Sequence, residues 1–293
     1  MSEVIQQLLA AGPVVTDGAW GTQLQLRGLA PGVCPDAWNL ALPDRVEQVA
    51  RAYVEAGSQV ILTNTFRANR ITLAGHGLAD QAAAINRAGV EISRRATAGR
   101  ARVFASIGPS GKILVLGETS EEELAEAYSE QAQALAEAGA DALLLETMSD
   151  LAEARLALAA ARRTGLPVVA SMVFDSGRNK DRTMMGVTPE QAAAELSAAG
   201  ADVIGANCGS GVAGYVDICR RLRAATDRPV WIKANAGLPE LVDGATVYRM
   251  TPEEFAAYVP ALLEAGAAFI GGCCGTGPDF IRALARKISA ARS

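Results

Sequence analysis

Short apolar runs alternate with longer segments of helical period along the whole chain. One phrase recurs in it: YVEAGSQVILTNTF, LAEAGADALLLETM, LSAAGADVIGANC and LLEAGAAFIGGCC. Each reads as the end of a helix, a small-residue turn and a buried strand. Gly57, Gly139, Gly200 and Gly266 stand where a left-handed helix cap is expected. The run after each is rich in Val, Ile, Leu and Ala, the composition of strands covered on both faces. Four more strand candidates lie between them: VVTDGAW from Val14, RVFASIG from Arg102, PVVASMVF from Pro167 and PVWIKAN from Pro229, which makes eight. Helix-period segments occupy 44–56, 80–98, 120–138, 150–164, 188–199, 212–225, 251–265 and 278–291, several opening on capping signals such as TSEEE, TPEQ and TPEEF. Strict alternation of buried strands with helices predicts parallel β/α units. Eight of them predict an α/β fold, a single (β/α)8 TIM barrel over 1–293 with its active site at the C-terminal ends of the strands. A doubly wound open sheet is the alternative.

Composition narrows the classes of partner. The chain has 293 residues, half of them hydrophobic, and a formal net charge of -5. That balance offers no basic surface to nucleic acid or anionic lipid. No stretch approaches the ~18 apolar residues of a membrane span, and MSEVIQQLLAAG lacks the basic flank of a signal peptide. A cytoplasmic protein is expected. In that reducing setting five cysteines, an odd number, argue for metal binding, reactivity or plain burial rather than a disulfide framework. Nothing in the sequence marks an oligomer interface.

The chemistry of a barrel belongs at the C-terminal strand ends. Read in order, those ends carry Asp17; Thr63, Asn64 and Thr65; Glu146 and Thr147; Asn207 and Cys208; Lys233 and Asn235; then Cys273 and Cys274. Three of the cysteines thus fall at the ends of strands separated by a single strand, where they can converge on one metal ion. Three thiolates suit zinc and leave its fourth position to a substrate. Adjacent cysteines cannot both point the same way along a regular strand, so the strand ends or bends at Cys273–Cys274, with Gly271, Gly272, Gly275 and Gly277 permitting the bend. Burial as small apolar residues, a redox-active cysteine pair in a non-catalytic barrel, and a phosphate site in the glycine-rich loop stay open. Cys34 and Cys219 read as structural.

TDGAWGTQL, ILTNTF, LLLETM, IGANC, KANAGLP and GGCCGTGP, in this order and spacing, resemble the homocysteine S-methyltransferase family from Asp17 to Lys287. ANAGLPELVDGATVYRMTPEEFA is similar to the homocysteine-binding barrel module of cobalamin-dependent methionine synthase, more than to the betaine or S-methylmethionine branches. The resemblance implies methylation of L-homocysteine to methionine as a zinc-bound thiolate. Cys208, Cys273 and Cys274 would hold one Zn2+, with Asn235 a further ligand before substrate arrives. Asp17, Thr65 and Glu146 would hold the amino-acid end, and Gly18 and Asn207 complete the expected substrate contacts. Backbone N–H groups beside Gly18 and Gly275 are expected at the substrate carboxylate, and the role of Lys233 is open. Three cysteinates over-neutralise the ion, which keeps a fourth, substrate thiolate nucleophilic. That leaves no acid–base task for the one histidine, His76. The donor implied is methylcobalamin on a separate corrinoid protein; a small donor (S-methylmethionine, S-adenosylmethionine or betaine) or another thiol or selenol acceptor is the alternative.

Overall fold

The computed structural model describes residues 2–242 and 245–292. In chain order the first half comprises α1 (Glu3–Leu9), β1 (Val14–Val15), α2 (Trp20–Leu26), α3 (Trp38–Ala41), α4 (Pro43–Ala56), β2 (Val60–Ile61), α5 (Arg70–Ala74), α6 (Ala82–Thr97), β3 (Arg102–Ile107), α7 (Glu121–Glu137) and β4 (Ala142–Met148). There follow α8 (Leu151–Arg162), β5 (Val168–Met172), α9 (Pro189–Ala198), β6 (Val203–Cys208), α10 (Val212–Ala225) and β7 (Val230–Ala234). The last part holds the hairpin β8 (Glu240–Val242) and β9 (Ala245–Val247), then α11 (Pro252–Ala256), α12 (Val259–Glu264), β10 (Ala267–Gly272) and α13 (Pro278–Arg292).

Eight parallel strands run in the order β1-β10-β7-β6-β5-β4-β3-β2. The two end strands meet each other. Gln59 donates its backbone N–H to the Val15 carbonyl at 2.8 Å, its side-chain oxygen accepts the Val15 N–H at 3.0 Å, and an Asp17 carboxylate oxygen accepts the Leu62 N–H at 2.8 Å. The sheet is therefore a nearly closed barrel, and the open-sheet alternative falls because its edges are joined.

Inside, the period-two alternation of the strands stacks one layer on the next. The apolar layer comprises Val14, Val60, Leu62, Phe104, Ala142, Leu144, Val169, Val203, Trp231 and Phe269, against which α1 lays Ile5. Trp231 fills its centre, 6.0 Å from the Phe104 ring and 5.3 Å from Phe269. Two residues further along the same faces come Ser106, Glu146, Ser171 and Lys233. The register that packs the barrel thus aims a polar layer at its C-terminal mouth.

The capping signals work as anticipated. Ser120 accepts from Glu123 N–H and Asp150 from Ala152 N–H, while Thr188 and Thr251 close capping boxes with Gln191 and Glu254. All four repeat glycines have φ between 90 and 105°. The helix expected over 251–265 is two helices, α11 and α12. Pro260 at the start of α12 lacks the N–H that a continuous helix would need and would clash with the carbonyl of residue 256. Helices α1, α2, α3 and α5 and the hairpin were not foreseen. Asp243 and Gly244, inside one of the quoted stretches, lie outside the described residues. Among the described residues no helix is long and apolar enough to cross a membrane.

Gly271 shows how tightly β10 abuts β1. A Cβ there would stand 2.0 Å from the Thr16 hydroxyl and 2.6 Å from the Asp17 carbonyl oxygen. Gly271→Ala is expected to cost about 1–3 kcal/mol by overpacking, read as a lower urea midpoint; an unchanged midpoint would show that the two strands separate without strain.

Candidate metal centre and ligand cavity

The three predicted cysteines meet at the barrel mouth. Cys208 closes β6 with φ 67°, and β10 ends at Gly272, so Cys273 and Cys274 sit on the turn that follows. Their sulfur atoms all lie within 4.8 Å of one another, with Cys208 Sγ 3.9 Å from Cys274 Sγ. Tetrahedral ligands about 2.3 Å from zinc stand about 3.8 Å apart, so this spacing and the all-sulfur donor set fit that ion. Cys34 and Cys219 are buried elsewhere.

Strand β7, between the two cysteine-bearing strands, sets the spacing. Ala234 O accepts the Cys273 N–H at 2.7 Å, and Cys274 O accepts the Ala236 N–H at 2.9 Å. The Asn235 side chain joins both sides: its oxygen accepts the Cys274 N–H at 2.9 Å and its amide donates to Gly209 O at 2.7 Å. Thr276 then pins the turn, its hydroxyl donating to Cys273 O at 2.7 Å. Hydrogen bonds within the cluster lower the Cys274 thiol and raise that of Cys208, which shares them.

A cavity of about 340 Å³ opens above the sulfurs, walled in part by Gly18, Trp20, Ser106, Glu146 and Lys233. Glu146 reaches it from a bulge in β4, where Thr147 takes φ 60°. Asn207 fixes that bulge, accepting the Thr147 N–H at 2.8 Å and donating to its hydroxyl at 2.7 Å. The Glu146 carboxyl bonds the Ser106 hydroxyl and is raised to about 7, chiefly by burial, with Lys233 opposing and Cys273 and Asp17 adding to the rise.

The remaining expected contacts sit differently. Thr65 is wholly buried, its hydroxyl donating to Ser106 O at 2.7 Å and paired with Thr63 Oγ1, so it supports the wall rather than facing the cavity. Asp17 is also wholly buried. One oxygen accepts from Trp20 Nε1 at 2.7 Å and Leu62 N–H at 2.8 Å, and the other is ion-paired with Lys233. The side chains of Asn207 and Asn235 are hydrogen-bonded to Thr147 and to the Cys274 and Gly209 backbone. His76 is exposed, in the turn after α5. Arg221 of α10 bonds Asp181 in the loop after β5 at 2.7 Å and Glu190 of α9 at 2.6 Å.

Sequence reading missed Tyr248. Its ring lies over Gly275, where a Cβ would come within 2.3 Å of it, and its hydroxyl hydrogen bond helps lower the Cys274 thiol. The signal was present: a DG pair between short alternating runs marks a hairpin, and Tyr248 follows β8–β9 to the cysteine cluster.

A family model described as homocysteine S-methyltransferase matches residues 14–288. The chain belongs to this family. It is 34% identical over 304 residues to methionine synthase of Mycobacterium leprae, covering 97% of this chain and 25% of that protein. It is 30% identical over 312 residues to betaine–homocysteine S-methyltransferase 1 of Danio rerio, covering 99% of this chain and 76% of that protein. The chain therefore spans about a quarter of the methionine synthase it matches. Among solved structures, the homocysteine methyltransferase MmuM from Escherichia coli in its metallated form aligns with TM-score 0.79 and 25% identity, over 94% of this chain and 96% of that one. Its oxidized form aligns with TM-score 0.80 and 25% identity over 99% of both. In this homocysteine S-methyltransferase family member the cysteines, Glu146 and Lys233 share one cavity.

Proposed function

We propose that this barrel methylates the thiol of L-homocysteine to methionine in a zinc-dependent reaction, in the cytoplasm, taking the methyl group from a corrinoid carried on a separate protein. The observation that carries the reading is the meeting of three cysteine sulfurs with an acidic and a basic side chain on one cavity. Zinc held by Cys208, Cys273 and Cys274 would supply a Lewis acid that keeps a nearby thiol ionised at neutral pH, where a free thiol of pKa about 8.5 is mostly protonated. Asn235 and Thr276 keep the cysteine loops in place, and Asn207 keeps Glu146 turned inward. The acceptor sulfur bonds to the methyl carbon as that carbon's bond to its carrier breaks, the electron pair staying with the carrier.

What supports a protein-borne donor is the rim. The exposed large apolar side chains among the described residues are Leu26, Val33, Leu40, Leu42, Val115, Leu116, Met184, Met185, Leu238 and Leu241. Every one lies on a connection leaving the C-terminal end of β1, β3, β5 or β7. Apolar surface gathered around one mouth marks a contact for another macromolecule.

X-ray absorption at the zinc edge, with and without L-homocysteine, is the test of the acceptor: one added sulfur is expected. Methionine is then expected with a methylated corrinoid protein as donor. Turnover only with S-methylmethionine, S-adenosylmethionine or betaine would replace the donor, and a sulfur shell indifferent to homocysteine would end the proposal.

A further inference from the structure

The proposed reaction brings the acceptor sulfur beside three cysteine sulfurs that line the same cavity, so a methyl donor entering there meets four nucleophiles of one kind. A methylated cysteine would end turnover. Tyr248 approaches this cluster from outside the barrel strands. Val247 before it pairs with Glu240 across the hairpin, and Arg249 after it is ion-paired with Glu240 at 2.9 Å, so its backbone is held on both sides. Its ring packs against the main core and covers Gly275, where a Cβ would collide with it. A side chain at 275 would hold the phenol off. With glycine there, the Tyr248 hydroxyl is hydrogen-bonded to the Cys274 sulfur. A hydrogen bond donated to an anionic sulfur draws on the lone pairs that would attack a methyl carbon.

We propose that Tyr248 determines which sulfur reacts: its hydroxyl, donating to Cys274, quiets that sulfur and leaves the incoming thiol as the better nucleophile. This rests on the proposal that the acceptor thiol is activated by zinc on the three cysteines. Tyr248 acts through Cys274 and touches neither acceptor nor donor, so its role is to direct the methyl group and to keep the cluster intact through repeated turnover.

The test treats the full chain, kept in excess zinc and free of homocysteine, with iodomethane, and follows methylation of Cys208, Cys273 and Cys274 separately by peptide mass spectrometry. In each event a cysteine sulfur bonds to the methyl carbon as the carbon–iodine bond breaks, and iodide leaves with the electron pair. Tyr248→Phe keeps the ring over Gly275 and removes only the hydroxyl. It is expected to speed methylation of Cys274 about tenfold, the lower end for a hydrogen bond to a charged group, and that of Cys208 and Cys273 by less than about threefold. Tyr248→Leu, which also uncovers Gly275, should add a rise at all three. With cobalt(II) in place of zinc, the sulfur-to-metal charge-transfer band should move to longer wavelength in Tyr248→Phe. Equal acceleration at the three sulfurs in Tyr248→Phe would make the residue a mere cover and overturn the inference. So would an unchanged rate at Cys274, which would leave the hydroxyl idle, or loss of zinc from Tyr248→Phe alone, which would assign the residue to metal retention. An unaltered protein that binds no zinc would bring down the zinc reading first, and this inference with it.

Discussion

Cys208→Ala is expected to abolish turnover while leaving the barrel folded. The cysteine ends β6 on a partly exposed turn, so the substitution removes a sulfur rather than core packing. Its loss breaks a set of three sulfurs that lie within 4.8 Å of one another, which leaves two thiols for a metal that takes four ligands. The Lewis-acid contribution of such an ion is several kcal/mol, so the rate should fall ~10³-fold or more. Bound zinc, measured by plasma emission after dialysis, should fall with it, and the far-ultraviolet dichroism should stay native. Full zinc occupancy in Cys208→Ala would show that the ion sits elsewhere. The same cluster sets the response of the intact protein to acid. A metal held by thiols displaces their protons, so its affinity is expected to fall as the pH falls.

Glu146→Gln is expected to stabilise the metal-free protein at high pH and to do nothing for it in acid. Burial raises this carboxyl from 4.5 to about 7, equivalent to about 3 kcal/mol. The sign is the reverse of the usual salt-bridged carboxylate. Between those two pH values the folded protein holds a proton that the unfolded chain has released, so stability falls as the pH rises through the window. Below it both states are protonated and glutamine offers no advantage. Above it the wild type carries a buried charge that the variant lacks. Chemical denaturation at pH 4.5 and pH 8 should show a difference near zero at the first and about 3 kcal/mol at the second. A pH-independent difference would mean that Glu146 is ionised throughout. The same titration bears on ligand capture: an ammonium group needs the carboxylate, so homocysteine affinity should drop as the pH falls below about 7.

The repeated helix–glycine–strand phrase was enough to read the barrel, because parallel strands covered on both faces leave the same apolar signature each time they occur. The cysteine cluster was legible for a related reason. Counting strands put Cys208 and Cys273–Cys274 two strands apart at the same end of the barrel, close enough for their loops to meet. Periodicity stops short of rotamers and loops. Asp17 and Thr65 stand at strand ends as expected, yet each is turned into a closed set of hydrogen bonds behind the wall, and only the packing of neighbouring strands decides that. Lys233 appears in the sequence as one more charge; only the fold shows it buried against the Asp17 carboxylate. The split of 251–265 was readable from Pro260 but was outweighed by the helical period around it.

The joint between β1 and β2 has a mechanical consequence. Elsewhere the neighbours are laced by backbone ladders, but here much of the lacing is done by side chains, among them the Asp17 carboxylate, whose other oxygen grips Lys233. The closure of the barrel and the basic side of its cavity thus share one group, so a substitution at Asp17 is expected to disturb the strand joint and the seat of Lys233 together.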